Sequence, residues 1–341
     1  MQRLHLLSVL FCLFWLPDLW AQECEQTTEG TEFWLGFMHH TEQGSQANLS
    51  LFITSRVGAS GEVFVGDQAP IAYTVGANAS IQIDINRNQG ENTASQVVER
   101  KGIRVTSTAA ISLYALNDKG FSADASVIYP KDALGTEYYA MCYEPPTQGG
   151  NTYRTQFLIV ATEDDTEVTI RPRRATQGGN PANTPFTVTL DAGDSYQVKA
   201  GERFGDDGDL TGSFISGDKR IAVFSGVFRG RIPANTCCYD HIYYQMTPNN
   251  SLGRNYITTP LRYSSGGNTV LRVYDVFRIL AIRNNTTVNI SGIPGAIALN
   301  AGQFYEFTTQ GNNIPRIISS SDPVMVAQFS TGRDTDNIQD A

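Results

Sequence analysis

Gly30-Thr31-Glu32-Phe33 returns as Gly135-Thr136-Glu137-Tyr138 and again as Gly253-Arg254-Asn255-Tyr256. The starting glycines stand 105 and 118 residues apart. That spacing suits a small independent domain and is too long for the unit of a solenoid. The chain is therefore predicted to contain tandem modules that arise from an internal repeat.

A tight turn is kept in every copy. Leu190-Asp-Ala-Gly193 in the second copy is matched by Leu299-Asn-Ala-Gly302 in the third and by Val75-Gly-Ala-Asn78 in the first. Glycine and asparagine best tolerate a left-handed backbone, so the same turn is predicted three times. The spacing between the second and third copies shortens across residues 172–185, which predicts an extra surface loop in the second copy.

Short runs of β-branched and aromatic residues fill each copy, alternate with a period of two and are separated by turn residues. In the second copy they predict seven strands: Glu137–Tyr143, Thr155–Thr162, Glu167–Arg171, Phe186–Leu190, Ser195–Lys199, Gly212–Ser216 and Arg220–Val227. This pattern is typical of an immunoglobulin-like β-sandwich. The predicted fold is all-β, with three tandem β-sandwich modules. A propeller is the weaker alternative, because three blades are too few.

The predicted boundaries follow the repeats. They are a signal peptide at 1–21, module 1 at 22–120, a connector with module 2 at 121–236, a connector with module 3 at 237–332, and a tail at 333–341. The tail is interpreted as the start of a further connector, so additional C-terminal domains are expected.

The first residues have the pattern of a secretory signal. Arg3 precedes the apolar run Leu6–Leu16, and the small residue Ala21 follows at the expected cleavage point. The run is too short to span a bilayer, which makes a signal anchor the weaker alternative. The sequence thus predicts a secreted or cell-surface protein without membrane insertion.

Cysteine usage agrees with that compartment. Removal of the signal peptide leaves Cys24, Cys142, Cys237 and Cys238 as disulfide candidates. An even number of cysteines in a secreted chain predicts disulfides, and four allow three pairings, which stay open. A bond between the adjacent Cys237 and Cys238 would be strained.

The formal net charge is −9, and charged residues make up 17% of the chain. An acidic chain with few basic clusters argues against nucleic acid and anionic membranes as partners. Because charged residues are few and Asn, Gln, Gly, Ser and Thr are abundant, the surface is expected to be mostly uncharged and rich in hydrogen-bonding groups. Such a surface favours an extracellular protein or glycan ligand.

The segments between the copies repeat as well. Residues 122–130 lead into Leu134-Gly135, and residues 237–248 lead into Leu252-Gly253; both contain an aspartate, an apolar stretch and a proline. A merely flexible linker needs no such pattern, so the modules are expected to dock in a set orientation. Ordinary strand-entry chemistry is the alternative explanation.

Five stretches together resemble a known family. They are GTEFW at 30–34, SADASVIYP at 122–130, LGTEYY at 134–139, CYDHIYYQMTP at 238–248 and LGRNYI at 252–257. They are similar to the N-terminal domain of the IgG Fc-binding protein family. The resemblance implies a secreted or cell-surface binding module that acts in adhesion or mucus interaction. Its most recognisable motif matches Asp124, Asp240, His241, Gln245 and Pro248, and it implies no catalytic role for them.

The candidate binding residues gather around the second connector. They are Asp124, Arg229, Arg231, Asp240, His241 and Gln245. Arg229 and Arg231 suit contact with an anion or an interface, and a solvated strand end is an equal explanation for them.

Histidines and cysteines raise the question of a metal or a nucleophile. His241 stands beside Asp240 and near two cysteines, which suits a metal site or a Cys–His nucleophile. In an oxidising compartment, bridged thiols and a packed imidazole are the expected outcome. His39 and His40 are adjacent on a predicted strand, so they are expected to point to opposite faces and not to share a metal.

Asp206, Asp207 and Asp209 form an acidic turn that is a weak calcium candidate. The turn lacks the full EF-hand spacing and the distal glutamate, which favours an exposed, solvated turn instead. No other cofactor is predicted.

No nucleophile elbow, phosphate-binding loop, dinucleotide fingerprint or zinc-protease motif occurs in the sequence. The predicted function is therefore a non-catalytic binding or adhesion module that recognises an extracellular glycoprotein, mucin or glycan. A structural spacer that displays a neighbouring domain is the first alternative, and a secreted hydrolase is the second and weaker one.

Overall fold

A computed structural model describes residues 27–40, 48–120, 122–145, 153–202, 206–234, 239–265, 268–271, 274–309 and 314–332. Over these ranges the protein consists mainly of β-strands, which confirms the all-β prediction. None of the helices in the described ranges has the length and apolar character needed to cross a bilayer. The predicted signal peptide, the tail, Cys24, Cys237 and Cys238 lie outside these ranges.

Repeat 1 shares one long strand between two layers. Its elements are β1 (Glu29–Leu35), β2 (Phe37–Met38), β3 (Asn48–Ser55), β4 (Ala59–Val65), β5 (Ile71–Val75), β6 (Ala79–Ile85), α1 (Arg87–Gly90), β7 (Glu91–Asn92), β8 (Val98–Glu99), β9 (Ile103–Asp118) and β10 (Ala123–Ile128). The first part of β9 pairs with β4 and β1, and its second part pairs with β3 and β10. The two layers thus have the orders β5-β4-β9-β1 and β6-β3-β9-β10.

Repeat 2 has the same arrangement. A 3₁₀ helix (Lys131–Ala133) leads into β11 (Gly135–Tyr139), β12 (Thr155–Ala161), β13 (Thr166–Arg171), β14 (Phe186–Leu190), β15 (Ser195–Lys199), a 3₁₀ helix (Asp206–Gly208), β16 (Phe214–Gly230) and β17 (Asp240–Gln245). Its layers run β14-β13-β16-β11 and β15-β12-β16-β17, so β16 takes the place of β9.

Repeat 3 keeps the order with the shared strand divided in two. A 3₁₀ helix (Asn249–Ser251) leads into β18 (Asn255–Ile257), β19 (Arg262–Ser265), β20 (Asn268–Leu271), β21 (Val276–Ala281), β22 (Thr286–Ile290), β23 (Ile297–Leu299), β24 (Phe304–Thr308), β25 (Ile317–Ser320) and β26 (Val324–Phe329). The layers are β23-β22-β25-β18 and β24-β21-β26, and β19 pairs with β20 as a separate hairpin.

The prediction of seven separate strands in the second copy is wrong at one point. The last two predicted strands, 212–216 and 220–227, are parts of the single strand β16. The backbone stays extended because each part of β16 has neighbours to pair with, β11 and β13 before the middle and β12 and β17 after it. Both layers of repeat 2 therefore belong to one continuous hydrogen-bonded sheet.

The thrice-repeated turn is confirmed. Asn78, Gly193 and Gly302 have φ angles of +54°, +86° and +80°. A left-handed backbone is strained for residues with a larger side chain, which explains why only glycine and asparagine occupy this position in the three copies.

The first junction, between repeats 1 and 2, contains a cluster of apolar side chains. Every residue of β12 is buried. Phe157 and Ile159 belong to the core of repeat 2, whereas Leu158 and Val160 join the core of repeat 1. Burial of one such aliphatic side chain contributes roughly 1.5–3 kcal/mol, so the outer face of this layer holds repeat 2 against repeat 1.

The second junction, between repeats 2 and 3, contains a buried charge. Val276 and Leu280 of β21 join the core of repeat 2, and Arg278 lies between them. The Arg278 guanidinium is 2.7 Å from Asp209 Oδ2 of repeat 2 and is enclosed by aromatic rings. This buried ion pair joins repeat 2 to repeat 3.

The connectors belong to the repeats that precede them. β10 pairs with β9, and β17 pairs with β16. The predicted boundaries at 121 and 237 assign each connector to the following module, whereas the hydrogen bonds tie it to the one before.

Candidate functional site

The two connector strands lie side by side and are joined by side chains. Ser122, Asp124 and Ser126 sit at alternate positions, so they face the same side of β10. Ser122 Oγ accepts the backbone N–H of His241 at 2.9 Å. Asp124 Oδ2 accepts that of Tyr243 at 2.9 Å, and Ser126 Oγ accepts that of Gln245 at 2.8 Å. This side-chain ladder fixes repeat 1 to the far edge of repeat 2.

Asp124 is therefore an internal support. Its Oδ1 also accepts the backbone N–H of Ala125 at 2.8 Å. Burial raises the pKa of Asp124 to about 7, the two backbone donors oppose that rise, and the Asp240 carboxylate adds to it. A carboxylate that accepts backbone hydrogen bonds in this way has a structural role.

Gln245 closes the other end of the ladder. Its Oε1 accepts the backbone N–H of Tyr129 at 2.6 Å, in the segment that leaves β10. Its Nε2 is buried and makes no hydrogen bond to a described residue. The side chain is 4% exposed, so it too supports the connector and is unable to contact a large ligand.

His241 packs against a second histidine from repeat 1. The rings of His241 and His40 stack at 4.2 Å between centroids. His241 Nδ1 is 3.0 Å from the carbonyl oxygen of Phe228, and His40 Nδ1 is 2.9 Å from Asn117 Oδ1. Burial lowers the pKa of His241 well below its ordinary value and that of His40 to about 4. The pair is neutral at physiological pH, which agrees with a packed imidazole.

His39 points away from that pair, as predicted, although β2 ends at Met38 and neither histidine lies in a strand. Its Nδ1 is 2.8 Å from the Lys199 Nζ, and its ring meets the Phe228 ring edge-on at 4.7 Å. Within the described ranges, no group of three His, Cys, Asp or Glu side chains is placed to hold a metal ion.

Arg229 and Arg231 form a cluster with two tyrosines, the arginine–tyrosine cluster. Arg229 lies over the rings of Tyr153 and Tyr239 at 5.7 and 5.8 Å, and Arg231 lies over Tyr239 at 4.0 Å. Neither arginine forms an ion pair with a described residue, and the Nε atoms of both are buried without a hydrogen-bond partner in the described ranges. The four side chains are partly exposed; Tyr153 precedes β12, and the other three lie around the end of β16 and the start of β17.

Asp240 is the exposed member of the motif. Its Oδ1 accepts the backbone N–H of His241 at 2.8 Å. Although Asp124 and Asp240 look equivalent in sequence, Asp124 pairs with Asn117 within a regular ladder and Asp240 pairs with Gly230 beyond a bulge. The bulge therefore places Asp240 outside the side-chain ladder.

Sequence reasoning missed the tyrosines and the serines of this region. Tyr153 and Tyr239 are recognisable as part of the cluster only because Arg229 lies over both rings in the structure. The two tyrosines are far apart in the sequence, so no local pattern links them. Ser122 and Ser126 carried a detectable signal, because they flank Asp124 at the two-residue period of a strand.

The acidic turn does not gather its carboxylates. Asp209 is 1% exposed and is turned inward to Arg278, and Thr211 Oγ1 also donates to it at 2.6 Å. Asp207 points outward and lies 3.6 Å from Arg174. For Asp206 the structure describes the backbone within the 3₁₀ helix. The calcium prediction thus has no shared set of ligands among the described carboxylates.

Cys142 departs from the disulfide prediction. It is a free, fully buried cysteine whose Sγ lies 3.5 Å from the carbonyl oxygen of Gln156. Burial raises the pKa of its thiol well above the usual range, so it stays protonated and unreactive. Disulfides of Cys24, Cys237 and Cys238 remain predictions, because these residues lie outside the described ranges.

Comparisons of the sequence with known proteins identify its family. The family model described as "IgGFc binding protein" matches residues 124–341, which begins at the aspartate of the side-chain ladder. The chain belongs to the IgGFc-binding protein family. It is also similar to the human (Homo sapiens) IgGFc-binding protein, with 27% identity over 315 residues that cover 90% of this chain and 5% of that relative. No solved structure shows a significant match.

Proposed function

We propose that this family member is a secreted or cell-surface, non-catalytic protein that binds an extracellular glycoprotein, mucin or glycan. The observation that carries the proposal is the arginine–tyrosine cluster at the end of β16. Its contact surface consists of Arg229, Arg231, Tyr153 and Tyr239, with the exposed carboxylate of Asp240 close to it in the chain.

The cluster has the chemistry of a recognition surface. Arginine and tyrosine dominate the contacts that contribute most to binding, because they offer large area and directed hydrogen bonds at low entropic cost. Stacking on Tyr239 holds the Arg231 guanidinium in place before a ligand arrives. A carboxylate, sulfate or hydroxyl group would accept hydrogen bonds from the guanidinium groups of both arginines.

The buried motif residues support this surface from beneath. Phe228, the residue before Arg229, contacts His39 by its ring and His241 by its carbonyl oxygen. The stacked histidines and the side-chain ladder therefore position the strand end that bears both arginines. The motif is interpreted as scaffolding for the site, with the ligand contacts one residue beyond it.

The comparisons suggest the first ligands to test. The human relative is named for binding to IgG Fc, and the family description carries the same name. Since this chain spans 5% of that relative, transfer of the ligand is a proposal. Three separate immunoglobulin-like sandwiches in one stiff array also remain a proposal, supported by the threefold strand order.

The structural spacer is the second candidate, and the junctions favour it. Both faces of β12 and β21 are buried, so the repeats form a stiff body of the kind that suits display of a neighbouring domain.

Binding assays on the secreted chain separate the two candidates. Immobilised mucin glycoproteins, a glycan array and human IgG Fc are presented to wild type and to the double variant Arg229→Gln/Arg231→Gln, with calcium and with chelator. We expect saturable binding that the double variant weakens at least about tenfold, the loss typical of a dominant contact. Chelator sensitivity would restore the acidic turn as a calcium site.

The matched control is Arg254→Gln, which removes an exposed arginine from repeat 3. It is expected to bind like wild type. Equal binding by the double variant would contradict the proposed surface. If folded wild type binds none of the ligands tested, the structural spacer would be favoured.

A further inference from the structure

The arginine–tyrosine cluster continues across the first junction to a third basic residue. The long strands β9 and β16 align at Tyr114 and Phe224, which pair with equivalent positions of β3 and β12. Five residues further along the chain stand Lys119 and Arg229, and a glycine follows each of them. The internal repeat thus places a basic side chain at the end of the shared strand in both repeat 1 and repeat 2.

These two basic side chains are neighbours in space. Burial lowers the pKa of Lys119, and Arg229 contributes the most to that shift among the charged groups. Burial is also the main cause of the low pKa of His40, and Lys119 and Arg229 each lower it by more than Asp118 raises it. A charge acts on a pKa in this way from a short distance. The cluster therefore spans two repeats, and the charge around it is positive on balance.

The arginines of the cluster are not neutralised by a carboxylate of the described ranges. Neither Arg229 nor Arg231 forms an ion pair there. Asp240 pairs with Gly230, the residue after Arg229, so strand alternation directs the Asp240 carboxylate to the face opposite from Arg229. Its Oδ1 accepts the backbone N–H of His241. Both guanidinium groups are thus available to an anion from outside.

Aromatic rings hold the basic groups in place. The rings of Tyr153 and Tyr239 are 5.1 Å apart between centroids and are tilted by 55°. Tyr153 also stacks on the buried ring of Phe228 at 5.8 Å. The Arg231 guanidinium lies over Tyr239 at 4.0 Å. Because these side chains are ordered before a ligand arrives, binding costs less conformational entropy.

We propose that this surface binds an anionic glycan, in which Arg229 and Arg231 hold a sulfate ester or a carboxylate of a sugar residue. The inference rests on the proposed function and narrows its ligand from glycans and glycoproteins in general to those that carry an oxyanion. A guanidinium donates paired N–H groups to a sulfate or carboxylate, and such charge-assisted bonds are about twice as strong as bonds to a neutral hydroxyl. Lys119 extends the positive charge along the glycan, and the two tyrosine rings pack beside the sugar.

The test compares four forms of one immobilised mucin: untreated, treated with sialidase, chemically desulfated, and treated in both ways. Biolayer interferometry measures the binding of the secreted chain to each form. We expect removal of the recognised group to weaken binding at least about tenfold, which corresponds to the loss of one charge-assisted hydrogen bond. The single treatments distinguish a sialic acid carboxylate from a sulfate ester. Binding to untreated mucin should also weaken as the salt concentration rises.

Single variants assign the effect to the cluster, and an unchanged Tm shows that each variant is folded. Arg231→Gln should weaken binding to untreated mucin at least about tenfold, because it removes a cation together with its paired donors. Arg231→Lys should weaken it less, since it keeps the charge and loses the planar fork. Lys119→Gln should weaken it about two- to fivefold, the effect of one partly exposed charge. Arg254→Gln is the matched control and should bind like wild type.

Three results would overturn the inference. Full binding to mucin that has lost both sulfate and sialic acid would exclude the anionic ligand and leave the proposed binding function in place. An equal loss with Arg231→Gln and with Arg254→Gln would show general attraction of charge and not a site at the cluster. If no form of mucin is bound, the glycan class is wrong, and binding to IgG Fc would then decide whether the proposed function stands.

Discussion

The two junctions of this molecule solve the same docking problem with different placements of their ion pairs. At the first junction Leu158 of β12 lies in the core of repeat 1, the ion pairs of Arg100 lie at the rim, and the buried Lys199 ammonium contacts His39 without an ion pair among the described residues. At the second junction the equivalent of Leu158 is Arg278, buried with Asp209, and the rim holds arginines around a cavity. The strand order is the same in both.

The difference shows what docking requires. Layers of β-structure can be joined by apolar contact or by a satisfied ion pair, provided that no buried group is left without a partner. When the centre of a junction stabilises the docking, the charged residues at its rim can differ from one junction to the other.

The largest effect is expected from Asp209→Asn. Arg278 is 3% exposed, and the carboxylates of Asp209 and Glu306 compensate its buried positive charge. Removal of one partner from a buried ion pair typically costs about 3–5 kcal/mol. Chemical denaturation would measure the loss in free energy of unfolding. A loss below that of an exposed ion pair would show that Arg278 is solvated in solution.

The double variant Asp209→Asn/Arg278→Leu sharpens the test, because it imitates Leu158 at the second junction. Replacement of both charges should recover much of the loss seen with Asp209→Asn alone. An additive loss from the two substitutions would contradict the equivalence of the two junctions.

Acid should weaken the first junction selectively. Burial, with smaller contributions from Lys119 and Arg229, lowers the pKa of His40 to about 4. Unfolded His40 takes up a proton near pH 6.5 and the folded residue near pH 4, so its contribution is present above pH 6.5 and is lost as the pH falls toward 4. The size is about 3 kcal/mol, and His241 acts in the same direction. Hydrogen exchange at the two junctions between pH 7 and 4 would check it.

Asp124 opposes that loss and provides the control. Its folded pKa of about 7 lies above the unfolded value, so its contribution is present below pH 4 and is lost as the pH rises through 7. Asp124→Asn should therefore steepen the acid weakening, while His40→Gln should flatten it. Equal acid sensitivity of both junctions would contradict the assignment.

The smallest effect is expected from Arg100→Gln. The Arg100 side chain is 46% exposed, and exposed ion pairs typically contribute about 1 kcal/mol or less. The free energy of unfolding should fall by that amount, and the loss should shrink in high salt. A loss as large as that of Asp209→Asn would place the stability of the first junction at its rim.

Much of the architecture could be predicted from sequence because it rests on local rules. The left-handed turn at Asn78, Gly193 and Gly302 follows from backbone geometry. The union of two predicted strands in β16 could not be read, because Gly217 and Asp218 look like a turn and only the neighbouring strands keep the backbone extended.

The candidate site was predictable in position more than in role. Asp124, His241 and Gln245 do converge, and their buried, supporting function depends on contacts across 119 residues that no local pattern reports. The same limit hid the stacking of Arg231 on Tyr239.

The side-chain ladder of β10 has a consequence for how such a chain changes over generations. Ser122, Asp124 and Ser126 accept hydrogen bonds from backbone N–H groups of β17, so these three contacts do not involve the side chains of that strand. A substitution in β17 other than proline leaves these three hydrogen bonds in place, whereas deletion of a single residue between two of them turns the next residue to the opposite face. Apart from His241 and Gln245, the length of this connector is therefore more constrained than its sequence.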